Sequence, residues 1–189
     1  MRNSAIIVFV VILLSVIGCV HHPRYGGYWT GHSALSNRGS IATLNVTANS
    51  QSSSPTDRGR AICRLFAYHL RPGCSAADVR LVLTDTRWLQ ATNLYVFNDL
   101  LGWLPLEMPP DTTAYSLVLD GGYSICFSLT GADRSAADGL AFLRGDAALA
   151  GNPKMVEFAL GFPSHIPLRG AHGARYERFS EQGIYVFPE

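Results

Sequence analysis

Residues 115–130 read YSLVLDGGYSICFSLT, two runs of aliphatic, aromatic and β-branched side chains on either side of Gly121-Gly122. Glycine reaches positive φ at no steric cost, and a primed two-residue turn needs it there, so the segment predicts an antiparallel hairpin. Other stretches carry strand signals. Ala42, Leu44, Val46 and Ala48 alternate with Thr43, Asn45, Thr47 and Asn49, the period-two pattern of a half-buried strand. On that reading Asn45-Val46-Thr47 lies on an exposed strand face. Val79–Leu83, Leu94–Phe97, Met155–Leu160 and Ile184–Phe187 read as further strands. Ser50 to Gly59, SQSSSPTDRG, reads as a polar loop of low complexity. Ser135–Leu149 is Ala-rich, with Ala136, Leu140, Leu143 and Ala147 at helical spacing, weakened by Gly139 and Gly145. Roughly seven or eight short strands and one modest helix predict a mainly β chain, a small β-sandwich.

Residues 61–70, AICRLFAYHL, fit two readings. As a strand they set Ile62, Phe66 and Leu70 on one side. As a helix they gather Ile62, Leu65, Phe66, His69 and Leu70 opposite Arg60, Arg64, Tyr68 and Arg71. A short apolar run is not settled by period alone; the strand is preferred. The cysteines depend on the choice. Cys63, Cys74 and Cys126 are an odd set, so at most one bridge forms within the body of the chain. A strand separates Cys63 from Cys74 too far to bridge and makes Cys126 the expected partner of either. A helix brings Cys63 and Cys74 within about two turns, roughly 11 Å. Three unpaired buried thiols are the third arrangement.

The N-terminus carries an address. After Arg2, an unbroken apolar run extends from Ala5 to Leu14, and Ser15-Val16-Ile17-Gly18 precedes Cys19. The run falls short of the roughly 20 residues a helix needs to span the hydrocarbon layer and suits a secretory signal. Val16-Ile17-Gly18-Cys19 resembles the lipobox of bacterial lipoproteins. That resemblance implies cleavage before Cys19, diacylglycerol on the Cys19 thiol and, with Val20 rather than Asp next in line, the periplasmic face of the outer membrane. The expected organisation is a lipoprotein signal peptide over 1–18, the lipidated Cys and a Gly-rich flexible tether over 19–40, and a single β-rich domain over 41–189. Removing the signal removes Arg2 from the 15 basic residues and leaves the body balanced against 14 acidic ones. A neutral body excludes electrostatic capture of nucleic acid and leaves shape and apolar contact to hold partners.

No chemical constellation stands out. His21, His22 and His32 cluster only in the tether, His69 sits in an apolar run, and His165 and His172 flank a loop. Zinc needs three or four ligands fixed in a tetrahedron, and no such spacing occurs. A nucleophile elbow, HExxH, a phosphate loop and GxGxxG are all missing. Neither a metal nor a cofactor is expected, nor catalysis. The apolar stretch from Trp88 to Leu106 closes in a Pro-stiffened segment, Gly102–Pro110, in which Trp103, Leu104 and Leu106 are the expected partner-binding residues.

A lipobox, a Gly-rich tether and a small sandwich resemble accessory lipoproteins of Gram-negative envelope machines. Ile41–Ala48, the loop ending Asp57-Arg58-Gly59 and Arg64–Leu70 are similar to the first strand, loop and Arg-led second strand of the type VI secretion outer-membrane lipoprotein family. That resemblance implies a transthyretin-like sandwich and an envelope or secretion-system protein as partner. The family's Pro before the second strand and its aromatic-acidic segment after it are not evident in Ser75–Thr84, and the last sixty or so residues are extra. A ligand-binding or immunity-type lipoprotein and a periplasmic enzyme are the other two classes the residues leave open.

Overall fold

The computed structural model describes residues 39–97, 109–163, 174–180 and 183–186, all within one compact unit, Asn37–Glu189. Four helices come before or between the strands: α1 (Ile41–Asn49), α2 (Pro55–His69), α3 (Ala76–Val82) and α4 (Ala136–Leu143). Each opens on a serine. Ser40, Ser54, Ser75 and Ser135 accept a hydrogen bond from the backbone N–H three residues on, at 3.2, 3.1, 3.4 and 3.3 Å. An exposed serine cap is worth about 1 kcal/mol because it satisfies one of the four orphan amides at a helix start. Ser75-Ala-Ala-Asp78 and Ser135-Ala-Ala-Asp138 are the same capping box written twice, the Asp returning to the Ser backbone N–H at 2.7 and 2.8 Å. Ser54 adds Pro55 at the first helical position and Asp57 in the first turn.

These caps overturn three strand expectations. Ala42–Ala48 lies in α1, where Leu44, Asn45 and Ala48 are buried, a helical rather than an alternating set. Residues 61–69 lie in α2, with Ile62, Cys63, Leu65, Phe66 and Ala67 buried. Val79–Leu83 is largely α3. The helix expected over Ser135–Leu149 is real but stops at Leu143, with Gly145 at φ 70 just beyond.

The strands form one six-stranded antiparallel sheet in sequential order: β1 (Leu94–Phe97), β2 (Thr112–Val118), β3 (Ser124–Thr130), β4 (Met155–Pro163), β5 (Ala174–Ser180) and β6 (Gly183–Val186). The 115–130 hairpin is present, but its turn is a 3-10 turn over Asp120–Gly122 closed by the Leu119 N–H donating to Tyr123 O, not a two-residue primed turn; Gly121 and Gly122 take φ 70 and 81 within it. β1, β4 and β6 match the other strand expectations, and β5 had no sequence signal. A second sheet is missing among the described residues, so the domain is a mixed α/β domain, not a sandwich. Helices take the place of the second sheet. Phe66 of α2 meets Phe158 of β4 edge to face at 5.8 Å, and Tyr115 stacks on Phe127 at 4.9 Å on the same sheet face. α4 lies over Tyr115, whose hydroxyl donates to Ser135 O at 3.3 Å. The segments Ile41–Ala48 and Arg64–Leu70, which carry the likeness to a transthyretin-like sandwich, are helical here.

Candidate functional site

Asn45 and Asn49, one turn apart on α1, clamp the chain that follows α3. Asn45 Nδ2 donates to Ile41 O at 2.9 Å and to Val82 O at 2.8 Å, while the Asp85 N–H donates to Asn45 Oδ1 at 3.3 Å. Asn49 Nδ2 donates to Asn45 O and Asp85 O, both at 2.9 Å, and the Trp88 N–H donates to Asn49 Oδ1 at 3.1 Å. Asn45, expected on an exposed strand face, is only 4% exposed. Burying an amide requires satisfying it, and backbone groups of residues 82–88 do so.

Beside the clamp lies a half-open cleft of about 560 Å3. Its walls are the C-terminal end of α1 with Ser50 and Gln51, Arg58 and Ile62 of α2, Arg87, Trp88, Gln90 and Asn93, and Leu117–Asp120 at the end of β2. Ile62, Leu117 and Leu119 are buried and give the cleft an apolar floor. Its charges are already matched. Arg58 donates through Nε and Nη2 to Asp120 Oδ2 at 2.8 and 2.6 Å and through Nη1 to Ser53 O at 2.7 Å. Arg87 forks onto Asp85, Nε at 3.0 Å and Nη2 at 2.6 Å, and this hydrogen bonding holds the Asp85 carboxyl below the usual carboxylate range. Gln51 and Gln90 are exposed and hold no side-chain partner among the described residues.

The expected site residues are not gathered here. Cys19, Trp103, Leu104 and Leu106 lie outside the described residues. Cys63, Cys74 and Cys126 are described, and all three are buried and outside any disulfide. The expected bridge from Cys126 is not formed, and the sheet explains why. Cys126 alternates with Ile125 and Phe127 and so faces the side away from α2, where Ala114 and Ala159 flank it. A bond to Cys63 would have to pass through the sheet. Burial pushes the Cys74 thiol up to about 12 and the Cys126 thiol up to about 11, which makes both poor nucleophiles at neutral pH. His69 is lowered by burial, with a hydrogen bond to the Gly39 backbone acting the other way. No three His, Cys, Asp or Glu side chains come together as a metal site among the described residues.

On that cleft, fold and site define a small mixed α/β domain with a concave surface of amides, paired ions and apolar floor. Comparison with protein-family models, with curated proteins and with solved structures gives no match.

Proposed function

We propose that this chain is a lipid-anchored accessory protein of a bacterial envelope assembly, a secretion apparatus in the first instance, and that it works by binding rather than by catalysis. Cys19 carries the lipid at the outer membrane, residues 19–40 act as tether, and the body meets its partner. The single observation supporting a binding role is the lining of the cleft: its guanidiniums are paired with carboxylates, its other polar side chains are amides, the Ser50 hydroxyl, which bonds to Ser52, and the Trp88 indole, and no cysteine is among its lining residues. Such a lining can hold a partner and orient it, but it offers no activated nucleophile or base.

The test has two parts. Cys19→Ser is expected to abolish palmitate labelling and release the body from membranes; labelling that survives the substitution refutes the anchor. Trp103→Ala with Leu104→Ala is expected to leave folding and attachment intact and to remove an envelope protein from cross-linked complexes. An unchanged cross-linking pattern in a folded double variant refutes docking through that segment. A second reading, a ligand-binding lipoprotein, is favoured by the concavity and size of the cleft, within the roughly 300–1,000 Å3 of small-ligand sites.

A further inference from the structure

We infer that the cleft takes an uncharged, polyhydroxylated ligand, a short stretch of glycan, with a sugar face on the apolar floor and its hydroxyls on the amide rim; this rests on the second reading above, that the cleft holds a ligand. The charges argue first. Arg58 is neutralised by Asp120 and Arg87 by Asp85, so no net positive charge is offered to a phosphate or carboxylate, and no lining carboxylate is left over for a cation. A charged ligand would have to compete with an ion pair already formed at each guanidinium to be recognised. A neutral ligand leaves both pairs standing.

The rim argues second. Gln51 and Gln90 present unclaimed primary amides, each with an acceptor and two donors. A hydroxyl is donor and acceptor at once, and a row of hydroxyls on a ring meets such amides without desolvating a charge on either side. The floor argues third. Buried Ile62 and Leu117 sit beneath, with half-buried Trp88 at the side, apolar surface suited to the C–H face of a pyranose ring. An extended peptide fits less well. Peptides that join a sheet take their affinity from an open strand edge, and Leu117 of β2 is flanked on both sides already, by Leu94 and Ile125.

The experiment is calorimetric titration of the full lipidated chain, in micelles of a sugar-free zwitterionic detergent, with tetra-N-acetylchitotetraose and with cellotetraose. At least one is expected to bind saturably with Kd at or below about 1 mM. Gln51→Ala with Gln90→Ala, both exposed and without described partners, is expected to keep the melting temperature and to weaken that binding at least about tenfold. Absence of saturable binding to both sugars overturns the inference. So does affinity unchanged in the double variant, or a neutral tetrapeptide that binds in their place and is lost with the same substitutions. Membrane anchoring and envelope cross-links retained without sugar binding overturn this inference alone, whereas their loss counts against the accessory role.

Discussion

Arg58 on α2 and Asp120 in the β2–β3 turn, 62 residues apart in sequence, meet at the mouth of the cleft with Nε and Nη2 at 2.8 and 2.6 Å from one carboxylate oxygen. The pair ties the start of α2 to the hairpin turn, and Gly59 and Gly121 permit the close approach. A Cβ on Gly121 would meet the Thr56 backbone at 2.6 Å, and one on Gly59 would run into the Asp120 carbonyl. Because the Arg58 side chain is 24% and the Asp120 side chain 52% exposed, solvent screens the attraction. A double-mutant cycle with Arg58→Ala and Asp120→Ala, followed by urea denaturation, is expected to give a coupling of about 0.5–1 kcal/mol that shrinks in high salt. A salt-independent coupling would contradict the ion-pair account.

Gly139 reverses an ordinary rule. It lies inside α4, where replacing Gly by Ala at an exposed position stabilises a helix by about 1 kcal/mol. Here an added Cβ would meet the Tyr115 ring at 2.5 Å and Leu94 at 3.0 Å. Tyr115 is fully buried and stacked on Phe127, so it has no room to retreat. Gly139→Ala is therefore expected to lower stability by about 1–3 kcal/mol, the range for overpacking a core. A raised melting temperature would show that α4 slides on the sheet.

The hairpin was legible in the sequence because Gly121-Gly122 marks its turn locally. Two helix starts are missed: Ser54-Pro55-Thr56-Asp57 falls in the stretch read as a polar loop, and Ser75-Ala-Ala-Asp78 precedes a run read as a strand, although both are local capping signals; the alternation of Ala42–Asn49 reads as a strand. What decides that segment is Asn45 bonding to Val82, 37 residues away, which no local pattern contains. α2 is ambiguous from residues 61–70 alone because so short an apolar run fits both periods; its stripe of Arg60, Arg64 and Tyr68 stays partly exposed and marks the helical face. The cleft was illegible for a different reason. Arg58 and Asp120, or Asn49 and Trp88, become neighbours only through the folded chain, and in sequence they lie in four separate segments: a polar loop, a hairpin, an alternating strand and an apolar run. Cys126 was misassigned because pairing cysteines needs to know which face of the sheet each occupies.

Asn45 is the polar centre of the helical layer. Asn45→Ala removes the partners of the Val82 carbonyl and the Asp85 N–H within a region only 4% exposed at that residue. Unsatisfied buried groups cost about 1–3 kcal/mol each, so a loss of roughly 2–4 kcal/mol is expected. Hydrogen exchange should show the Asp85 amide losing protection first, since the clamp loosens there before the sheet does. A uniform change across the sheet, with Asp85 no faster than the rest, would locate the defect elsewhere.

Stability should fall in alkali, and the buried thiols give the sign. From an ordinary value of 9.0, burial raises Cys74 to about 12 and Cys126 to about 11, with Asp78 adding to the rise at Cys74. Well below pH 9 both thiols are protonated whether the chain is folded or not, and their contribution is complete. Above it the unfolded chain ionises them while the folded chain does not, so the unfolded state gains and stability is lost as pH rises from 9 towards 11. Each thiol contributes at most about 1.4 kcal/mol per pH unit to that slope. Tyr115, also raised by burial, adds in the same direction. Urea denaturation at a series of pH values should therefore show a decline above pH 9 that is markedly shallower in Cys74→Ala with Cys126→Ala, even though that variant starts from a lower baseline. In the same range below pH 9, thiol reagents should label Cys63, Cys74 and Cys126 only after denaturation. A slope identical in the double variant, or a bridge between any two of the three in the native protein, would refute the account of three separately buried thiols.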